Sequence, residues 1–174
     1  MRIFIIGGKS GTGKNELAKI IKGYYDTKNE KSIITEYSKY VKVLAREMLN
    51  WNGEINTKPR KFLQEMGSMM RQKLGEDIFI KRMQDDIIIY EDYYDNVIIS
   101  DARLINELEL MKNKYANVYT IHLISNHKNN LDEEEKHHIT ETELDNYHNY
   151  DYEIDSSNLE ELNKNIIDIL EVIK

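Results

Sequence analysis

The chain has 174 residues, 40% of them hydrophobic and 32% charged, and it contains no cysteine. Its length fits one domain, predicted here over residues 1–174, and its composition excludes collagen, a coiled coil and a wholly disordered chain. Without cysteine there is no disulfide, thiolate metal site or cysteine nucleophile, and a reducing, cytoplasmic location is expected. The net charge of −7 argues against nucleic acid binding on a broad basic surface, so an anionic ligand must be met by a local site.

Apolar runs in the sequence are short. The aliphatic run Ile87–Ile89 is far below the roughly 20 residues that cross a bilayer, so no membrane helix is expected. The apolar start of the chain leads directly into Gly7 and Gly8, which predicts a buried strand rather than a secretory signal.

The first part of the chain alternates twice between a strand and a helix. Arg2–Ile6 is a predicted buried strand, and after a glycine-rich turn Lys14–Tyr25 has apolar residues on one helical stripe. Ser32–Tyr37 is the second predicted strand, followed by a helix from about Ser38 to Leu49. This alternation is typical of a parallel sheet with crossover helices.

Two methionine-rich helices are predicted next. The first begins at Pro59, with Thr57 as a candidate N-cap, and the second runs from Ile78 to about Tyr93. The apolar residues at helical spacing are Leu63, Met66, Met70 and Leu74 in the first helix and Phe79, Met83, Ile87 and Tyr90 in the second. We interpret this stripe as core packing rather than as contact with a cofactor.

The second half of the chain adds three strands and two helices. The strands are predicted at Asn96–Ser100, Val118–Ser125 and Tyr152–Asp155. The helices carry Leu104, Leu108 and Met111, and then Leu159, Leu162, Ile166, Ile169 and Ile173 behind a capping box of Ser157 and Glu160. Residues 126–150 are polar and predicted to be irregular, which in a compact domain indicates a lid or a disordered segment. The fold class is therefore α/β, a three-layer sandwich around a five-stranded parallel sheet.

The sequence Gly8-Lys9-Ser10-Gly11-Thr12-Gly13-Lys14-Asn15 has the glycine and lysine spacing of the Walker A phosphate loop. Glycines let successive backbone N–H groups turn inward around a phosphate, and the following helix adds its positive end. Lys14 offers an ammonium to the β- and γ-phosphates. Because the motif stands between a predicted strand and a predicted helix, nucleotide binding by this loop is expected. The residues assigned to it are Gly8, Ser10, Gly11, Thr12, Gly13, Lys14 and Asn15.

Position 15 departs from the motif. It holds Asn where the motif has Ser or Thr, whose hydroxyl ligates Mg²⁺, and a neutral amide is a weaker substitute. Asp101 follows the Val97–Ser100 run, at the sheet edge where ligands of open α/β folds bind. We predict that Mg²⁺ is held by Asp101 and Asn15, through water where needed. An Asp after a strand can also serve as a turn or helix N-cap residue.

Three stretches together resemble one family. They are Gly11–Lys14, Arg60–Gly67 continued to Arg71, and Ser100–Glu107. In this combination the chain resembles the deoxynucleoside monophosphate kinases of phages and bacteria, within the P-loop nucleoside monophosphate kinase group. His138–Glu143 and Ile154–Leu162 also look like the family's lid and adenine-side loop, so the resemblance covers nearly the whole chain.

The resemblance implies transfer of the γ-phosphoryl of ATP, with Mg²⁺, to a nucleoside monophosphate. Such transfer depends on positioning and on cations around the migrating group. The chain has six arginines, at positions 2, 46, 60, 71, 82 and 103. Carried over, Arg71 and Arg103 hold the acceptor phosphate, with Arg60 nearby and Lys42 as a weaker candidate, each of which could instead be a solvated surface charge. Lys14, Asp101, Arg71 and Arg103 are the expected catalytic set.

The lid of this chain departs from the group's pattern. No arginine follows Arg103, whereas lids of the group commonly bring arginines onto the phosphates. Lys136 is the first candidate to contact the phosphates in place of an arginine, and His137 or His138 is the second. Lys128 is the other lysine of the segment. By the same resemblance, residues 155–158 are expected to pass near the adenine of ATP.

Two alternatives stay open at this point. The acceptor could be another small phosphate compound, as in dephospho-coenzyme A or phosphomevalonate kinases, or the protein could be a non-catalytic ATP-binding switch. A signalling GTPase is disfavoured because Asn126–Asn129 is not the guanine-reading Asn-Lys-x-Asp motif. The expected partners are nucleotide substrates, with no nucleic acid and no membrane, and the sequence leaves both monomer and homodimer open.

Overall fold

A computed structural model describes residues 1–125, 131 and 133–173. Five strands form one sheet in which every neighbouring pair is parallel, in the order β2-β3-β1-β4-β5. The strands are β1 (Arg2–Gly7), β2 (Ser32–Thr35), β3 (Asn96–Ala102), β4 (Val118–Ile124) and β5 (Tyr152–Asp155). This is the α/β fold predicted from the alternating pattern.

Helices connect the strands and cover both faces of the sheet. They are α1 (Lys14–Thr27), α2 (Lys39–Leu49), α3 (Arg60–Leu74), α4 (Ile78–Tyr90), α5 (Ile105–Lys114), α6 (Glu133–His137), α7 (Ile139–Thr142) and α8 (Leu159–Val172), with a 3-10 helix at Glu143–Asn146. Among the described residues no helix is both long and apolar enough to cross a membrane.

The central strand β1 divides the core between the two faces. Ile3 and Ile5 pack on one face with α2, α4 and α5, whereas Phe4 and Ile6 pack on the other with α1 and α8. All four side chains are at most 1% exposed. A strand buried on both faces has a continuous apolar sequence, which explains why β1 could be predicted from the sequence.

Three predictions of local structure are wrong. Residues 133–146, predicted to be irregular, form α6, α7 and the 3-10 helix; these short helices lack the apolar periodicity that reveals a long one. The N-cap of α8 is Asn158 and not Ser157: the Asn158 side chain accepts from the backbone N–H groups of residues 160 and 161, while the Ser157 N–H bonds the Asp155 side chain. The residue at the N-cap of α3 is Pro59, without a side-chain cap, and not Thr57.

The methionine-rich stripe packs largely as predicted, with one exception. Met83 and Ile87 are fully buried, and Met66 and Met70 pack against the same core. Leu74, however, is 60% exposed at the end of α3.

Candidate phosphate-binding cleft

The phosphate loop connects β1 to α1, and its backbone favours glycine, as Gly8 and Gly13 show. Gly8 has φ of +142°, and a Cβ there would lie 2.5 Å from the Leu123 carbonyl oxygen on β4. Gly13, at the N-cap of α1, has φ of +91°. Both φ angles lie in the positive region that residues with an L side chain rarely adopt. This conformation keeps the loop curled against the sheet edge.

Lys14 is buried, and its ammonium folds back along the loop. Its Nζ donates to the Gly8 carbonyl at 2.7 Å and to the Lys9 carbonyl at 2.5 Å. Burial lowers the pKa of Lys14 well below its usual value, and the Arg103 guanidinium lowers it further. An incoming phosphate would relieve both effects, since a buried ammonium is stabilised by an opposite charge.

The loop after β5 braces the phosphate loop from the other side. The Ser156 hydroxyl donates to the Thr12 carbonyl at 2.7 Å, and its backbone N–H donates to the Ile124 carbonyl at 2.8 Å. The segment predicted to pass near adenine thus adjoins the phosphate loop, while its role toward a base stays a prediction.

Asp101 lies near the end of β3 and lines the cleft, but its carboxylate is already engaged. Its Oδ1 accepts from the Tyr37 N–H at 2.7 Å, and its Oδ2 accepts from the Ser38 N–H at 3.0 Å and the Ser38 hydroxyl at 2.6 Å. Asp101 therefore fixes the turn from β2 into α2, the structural role that the sequence left open. A carboxylate has about four lone-pair positions, so this one retains acceptor capacity toward the cleft that suits a hard cation.

Asn15 and Asp101 are placed differently. Asn15 is exposed in the first turn of α1 and is not among the residues that line the cleft, whereas Asp101 is. Of the two predicted oxygen donors for Mg²⁺, only Asp101 thus lines the cleft. The metal assignment to these two residues stays a prediction.

The predicted acceptor-side cations all line one cleft beside the phosphate loop. Arg60 donates to the Ser10 hydroxyl at 2.9 Å, which joins α3 directly to the loop. Arg103 pairs with Glu141 at 2.8 Å, and the Arg71 guanidinium lies 5.1 Å from the centre of the Phe79 ring. Lys42 lines the cleft as well and pairs with Glu36 at 2.5 Å. The structure thus brings together residues from three separate stretches of sequence.

Sequence reasoning missed Lys58, which lies just before α3 and also lines the cleft. Burial lowers the pKa of Lys58 to about 8, and the neighbouring charges of Lys42, Arg60 and Arg103 lower it too. The only local signal was its position two residues before Arg60. Cations that crowd around one ammonium and lower its pKa favour an anionic ligand between them.

Glu107 holds the turn that presents Arg103. Its carboxylate accepts from the backbone N–H groups of Arg103 at 2.7 Å and Leu104 at 3.1 Å, and it lies 3.8 Å from the Arg71 guanidinium. Burial raises the pKa of Glu107 to about 7 despite these partners. Glu107 was part of the motif in the sequence, but its function as a support for both arginines was not foreseen.

The lid residues that line the cleft differ from those predicted. Lys136 pairs with Glu133 at 2.6 Å, and the His137 ring bonds the Glu133 carbonyl, so both are engaged within α6. His138 bonds Ser68 of α3 at 3.2 Å. None of these three lines the cleft; Leu131, Thr140 and Glu141 do. Lys128, Asn126–Asn129 and the rest of 126–130, with residue 132, lie outside the described residues.

The cleft also has apolar lining residues. Val41, Leu63 and Phe79 line the cleft together with the backbone of Gly67. Leu63 and Phe79, interpreted from the sequence as core residues, do pack against the core, but each also has a face toward the cleft. The cleft therefore offers charge for a phosphate and an apolar surface for a flat or hydrophobic group.

The chain matches no family model and no curated protein. Among solved structures it is similar to an APS kinase from Mycobacterium tuberculosis, with TM-score 0.52, 13% identity and coverage of 98% of this chain and 96% of that one. It is also similar to a shikimate kinase from Bacteroides thetaiotaomicron, with TM-score 0.52, 15% identity and 99% of both chains. A sugar kinase from Janibacter sp. HTCC2649 gives TM-score 0.53, 12% identity and coverage of 99% and 95%. At these identities the likeness shows the fold, and the chain has the fold of the P-loop kinases.

Proposed function

We propose that this protein transfers the γ-phosphoryl of ATP to a deoxynucleoside monophosphate, giving the diphosphate and ADP. The observation that carries the proposal is the meeting of phosphate loop and cation cluster. Arg60 bonds Ser10 of the loop, and the Arg103 charge acts on the ammonium of Lys14. A donor phosphate on the loop and an acceptor phosphate on the arginines would therefore face each other, the arrangement that in-line transfer requires.

Each residue of the cleft has a distinct task in this proposal. The loop N–H groups and Lys14 bind the β- and γ-phosphates, while Arg71 and Arg103 hold the acceptor phosphate by charge-assisted hydrogen bonds. Lys58 and Arg60 add positive charge between the two, where negative charge accumulates during transfer. Mg²⁺, which neutralises phosphate charge when bound, would be held by Asp101 with Asn15 through water.

The choice of ATP and of a nucleotide acceptor has separate support. One solved structure similar to this chain, an APS kinase with TM-score 0.50 and 12% identity, is in complex with AMPPNP and APS. The nucleotide acceptor rests on the family resemblance of Arg60–Arg71 and Ser100–Glu107. The apolar lining of Val41, Leu63 and Phe79 is suited to a base or sugar next to the cation cluster. We further propose a cytoplasmic enzyme that acts on free nucleotides, as a monomer or homodimer.

The test is ADP release from ATP and Mg²⁺ across the natural ribo- and deoxynucleoside monophosphates. We expect at least one deoxynucleoside monophosphate to stimulate release, and the diphosphate product to appear in equal amount. Stimulation by none of them would overturn the acceptor assignment.

A second acceptor class is favoured by the comparisons themselves. The similar structures include kinases of APS, shikimate and sugars, which are small acceptors of other chemistry. Adding these compounds, dephospho-coenzyme A and phosphomevalonate to the same assay separates the two proposals. ATP binding without turnover on any acceptor would instead support a nucleotide-binding switch.

A further inference from the structure

The carboxylate of Glu141 on α7 lies between the phosphate loop and the acceptor-side cluster. Its Oε2 accepts from the Ser10 backbone N–H at 2.9 Å, and its Oε1 accepts from Arg103 at 2.8 Å. Its charge also acts on the buried ammonium of Lys14. One carboxylate of the lid thus engages three groups assigned above to phosphates.

The position of Glu141 is that of an anionic ligand. Backbone N–H groups of the loop, a guanidinium and an ammonium are the donors expected around a phosphoryl group at the junction of donor and acceptor. Only 9% of Glu141 is exposed, so its carboxylate is withdrawn from water in the way a bound phosphate would be. A phosphate oxygen and a carboxylate oxygen cannot both accept from the Ser10 N–H at hydrogen-bond distance.

Glu141 differs from the other lid carboxylates. Asp145 pairs with the side chain of Lys9 and Glu134 pairs with that of Lys61, but these pairs are largely exposed and lie outside the cleft. Glu143 accepts from the Ile105 N–H at 2.8 Å and so anchors the lid to the start of α5. Those contacts hold the segment in place. Among the described carboxylates of the lid, only Glu141 accepts from a backbone N–H of the phosphate loop.

We propose that Glu141 is an internal competitor for the phosphoryl position, which must leave the Ser10 N–H and Arg103 before a polyphosphate can bind there. The proposal rests on the proposed function only in that the loop binds polyphosphate. If Glu141 occupies the site in most molecules, a ligand binds with lower apparent affinity, because its apparent Kd is the intrinsic Kd divided by the fraction of molecules in which the site is free. In the absence of ligand, the lid covers the cleft, and Arg103 is released only when a stronger anion replaces the Glu141 carboxylate.

The experiment compares Glu141→Gln with a matched control. The variant keeps the size and the oxygen acceptor of the side chain but removes the charge that holds Arg103. Glu143→Gln removes one negative charge from the same segment and weakens a lid anchor without touching the phosphate loop. Binding of AMPPNP with Mg²⁺, and of inorganic tripolyphosphate, is measured by calorimetry for the wild-type protein and both variants.

We expect Glu141→Gln to bind both probes about tenfold more tightly than the wild type, and Glu143→Gln to change binding by less than about twofold. Unchanged or weaker binding by Glu141→Gln would overturn the proposal, since the carboxylate would then assist the ligand or play no part. Equal tightening by both variants would also overturn it, since general lid release or net charge would be the cause.

The two experiments distinguish a failure of the kinase proposal from a failure of the Glu141 proposal. If no monophosphate stimulates ADP release but Glu141→Gln still tightens tripolyphosphate binding, the acceptor assignment falls and the competition stands. If transfer occurs and tripolyphosphate binding is unaffected by Glu141→Gln, the competition falls and the kinase stands.

Discussion

The phosphate loop and the lid segment (residues 133–146) meet beside the cleft, where Glu141 bonds Ser10, but they are held by different kinds of contact. The loop is held by buried or half-buried side-chain hydrogen bonds to its own carbonyls: Lys14 bonds two of them, and Ser156 bonds the Thr12 carbonyl. The lid is held by carboxylates that pair with cations, several of them at exposed positions. The Lys9 and Asp145 side chains, for example, are 53% and 41% exposed.

Because of this difference, we call the phosphate loop the preformed half of the site and the lid segment the exchangeable half. Exposed ion pairs such as Lys9–Asp145 and Lys61–Glu134 contribute about 0–1 kcal/mol each and are weakened by salt, so these lid contacts can be replaced at small cost. The Arg103–Glu141 pair is largely buried, so its exchange requires an anion that takes the place of the carboxylate. Backbone conformations that require glycine, such as that of Gly8, leave the loop few alternatives. An anionic ligand would therefore meet a loop whose backbone is already shaped, and would take the place of the Glu141 carboxylate at the Ser10 N–H.

The largest effect is expected in the preformed half, from Lys14→Ala. The motif assigns the Lys14 ammonium to the β- and γ-phosphates, and its loss should reduce kcat/KM by about 10³-fold or more. The substitution removes two hydrogen bonds to loop carbonyls, but it also removes a charge whose pKa burial lowers, so the two effects on stability oppose each other and the melting temperature should change little. Coupled-assay kinetics and a thermal melt measure both. Retained turnover in a folded Lys14→Ala protein would contradict the assignment of the loop.

A smaller loss is expected where the two halves meet, from Arg103→Ala. Truncation removes an acceptor contact and leaves Glu141 without its partner, so kcat/KM should fall about 10²-fold, mainly through the KM of the acceptor. Arg82→Ala is the matched control, since Arg82 is half-exposed on α4, pairs with Asp85 and lies outside the cleft. Equal losses in both variants would mean that Arg103 has no specific role.

Lys58 provides a pH test of the cation cluster. Burial and neighbouring cations set its pKa at about 8, so it is charged below that pH and neutral above it. A bound phosphate favours the charged form, and acceptor affinity should therefore be highest below pH 8 and fall above it. We expect the acceptor KM to rise about three- to tenfold between about pH 7 and about pH 9 in the wild-type protein.

Lys58→Arg is the control for this profile, because a guanidinium stays charged over the whole range. Its acceptor KM should stay flat between about pH 7 and about pH 9. Two parallel profiles would show that another group titrates, and would exclude Lys58 from the acceptor site.

The preformed half is also the half that the sequence predicts well. β1 is a continuous apolar run, and the spacing of glycines and lysine from Gly8 to Lys14 can be recognised without reference to any distant part of the chain. Arg71 and Arg103 stand in short stretches that carry the family resemblance, and the structure places both of them in the cleft.

The exchangeable half could not be predicted from the sequence. Glu141 lies 131 positions from Ser10 along the chain, and nothing local indicates that a carboxylate next to Thr140 turns toward a phosphate loop. Lys58 lies outside the lid but was not predicted either, because its lowered pKa arises from burial and from cations that become its neighbours only after folding. The lid helices are stabilised by tertiary contacts such as that of Glu143 with the start of α5, not by a periodic apolar stripe.

The smallest effect is expected from Asn15→Thr, at the end of the phosphate loop. A hydroxyl at this position is the usual direct ligand of Mg²⁺, whereas Asn15 offers an amide oxygen from an exposed side chain. The substitution should lower the Mg²⁺ concentration for half-maximal turnover about two- to fivefold, with little change in maximal rate. Asn15→Ala should raise that concentration by a similar factor if the amide acts through water, and a titration of rate against Mg²⁺ for the three proteins measures both shifts. If neither substitution moves the midpoint, the metal depends on Asp101 and the phosphates alone, and the departure from the motif at position 15 has no functional consequence.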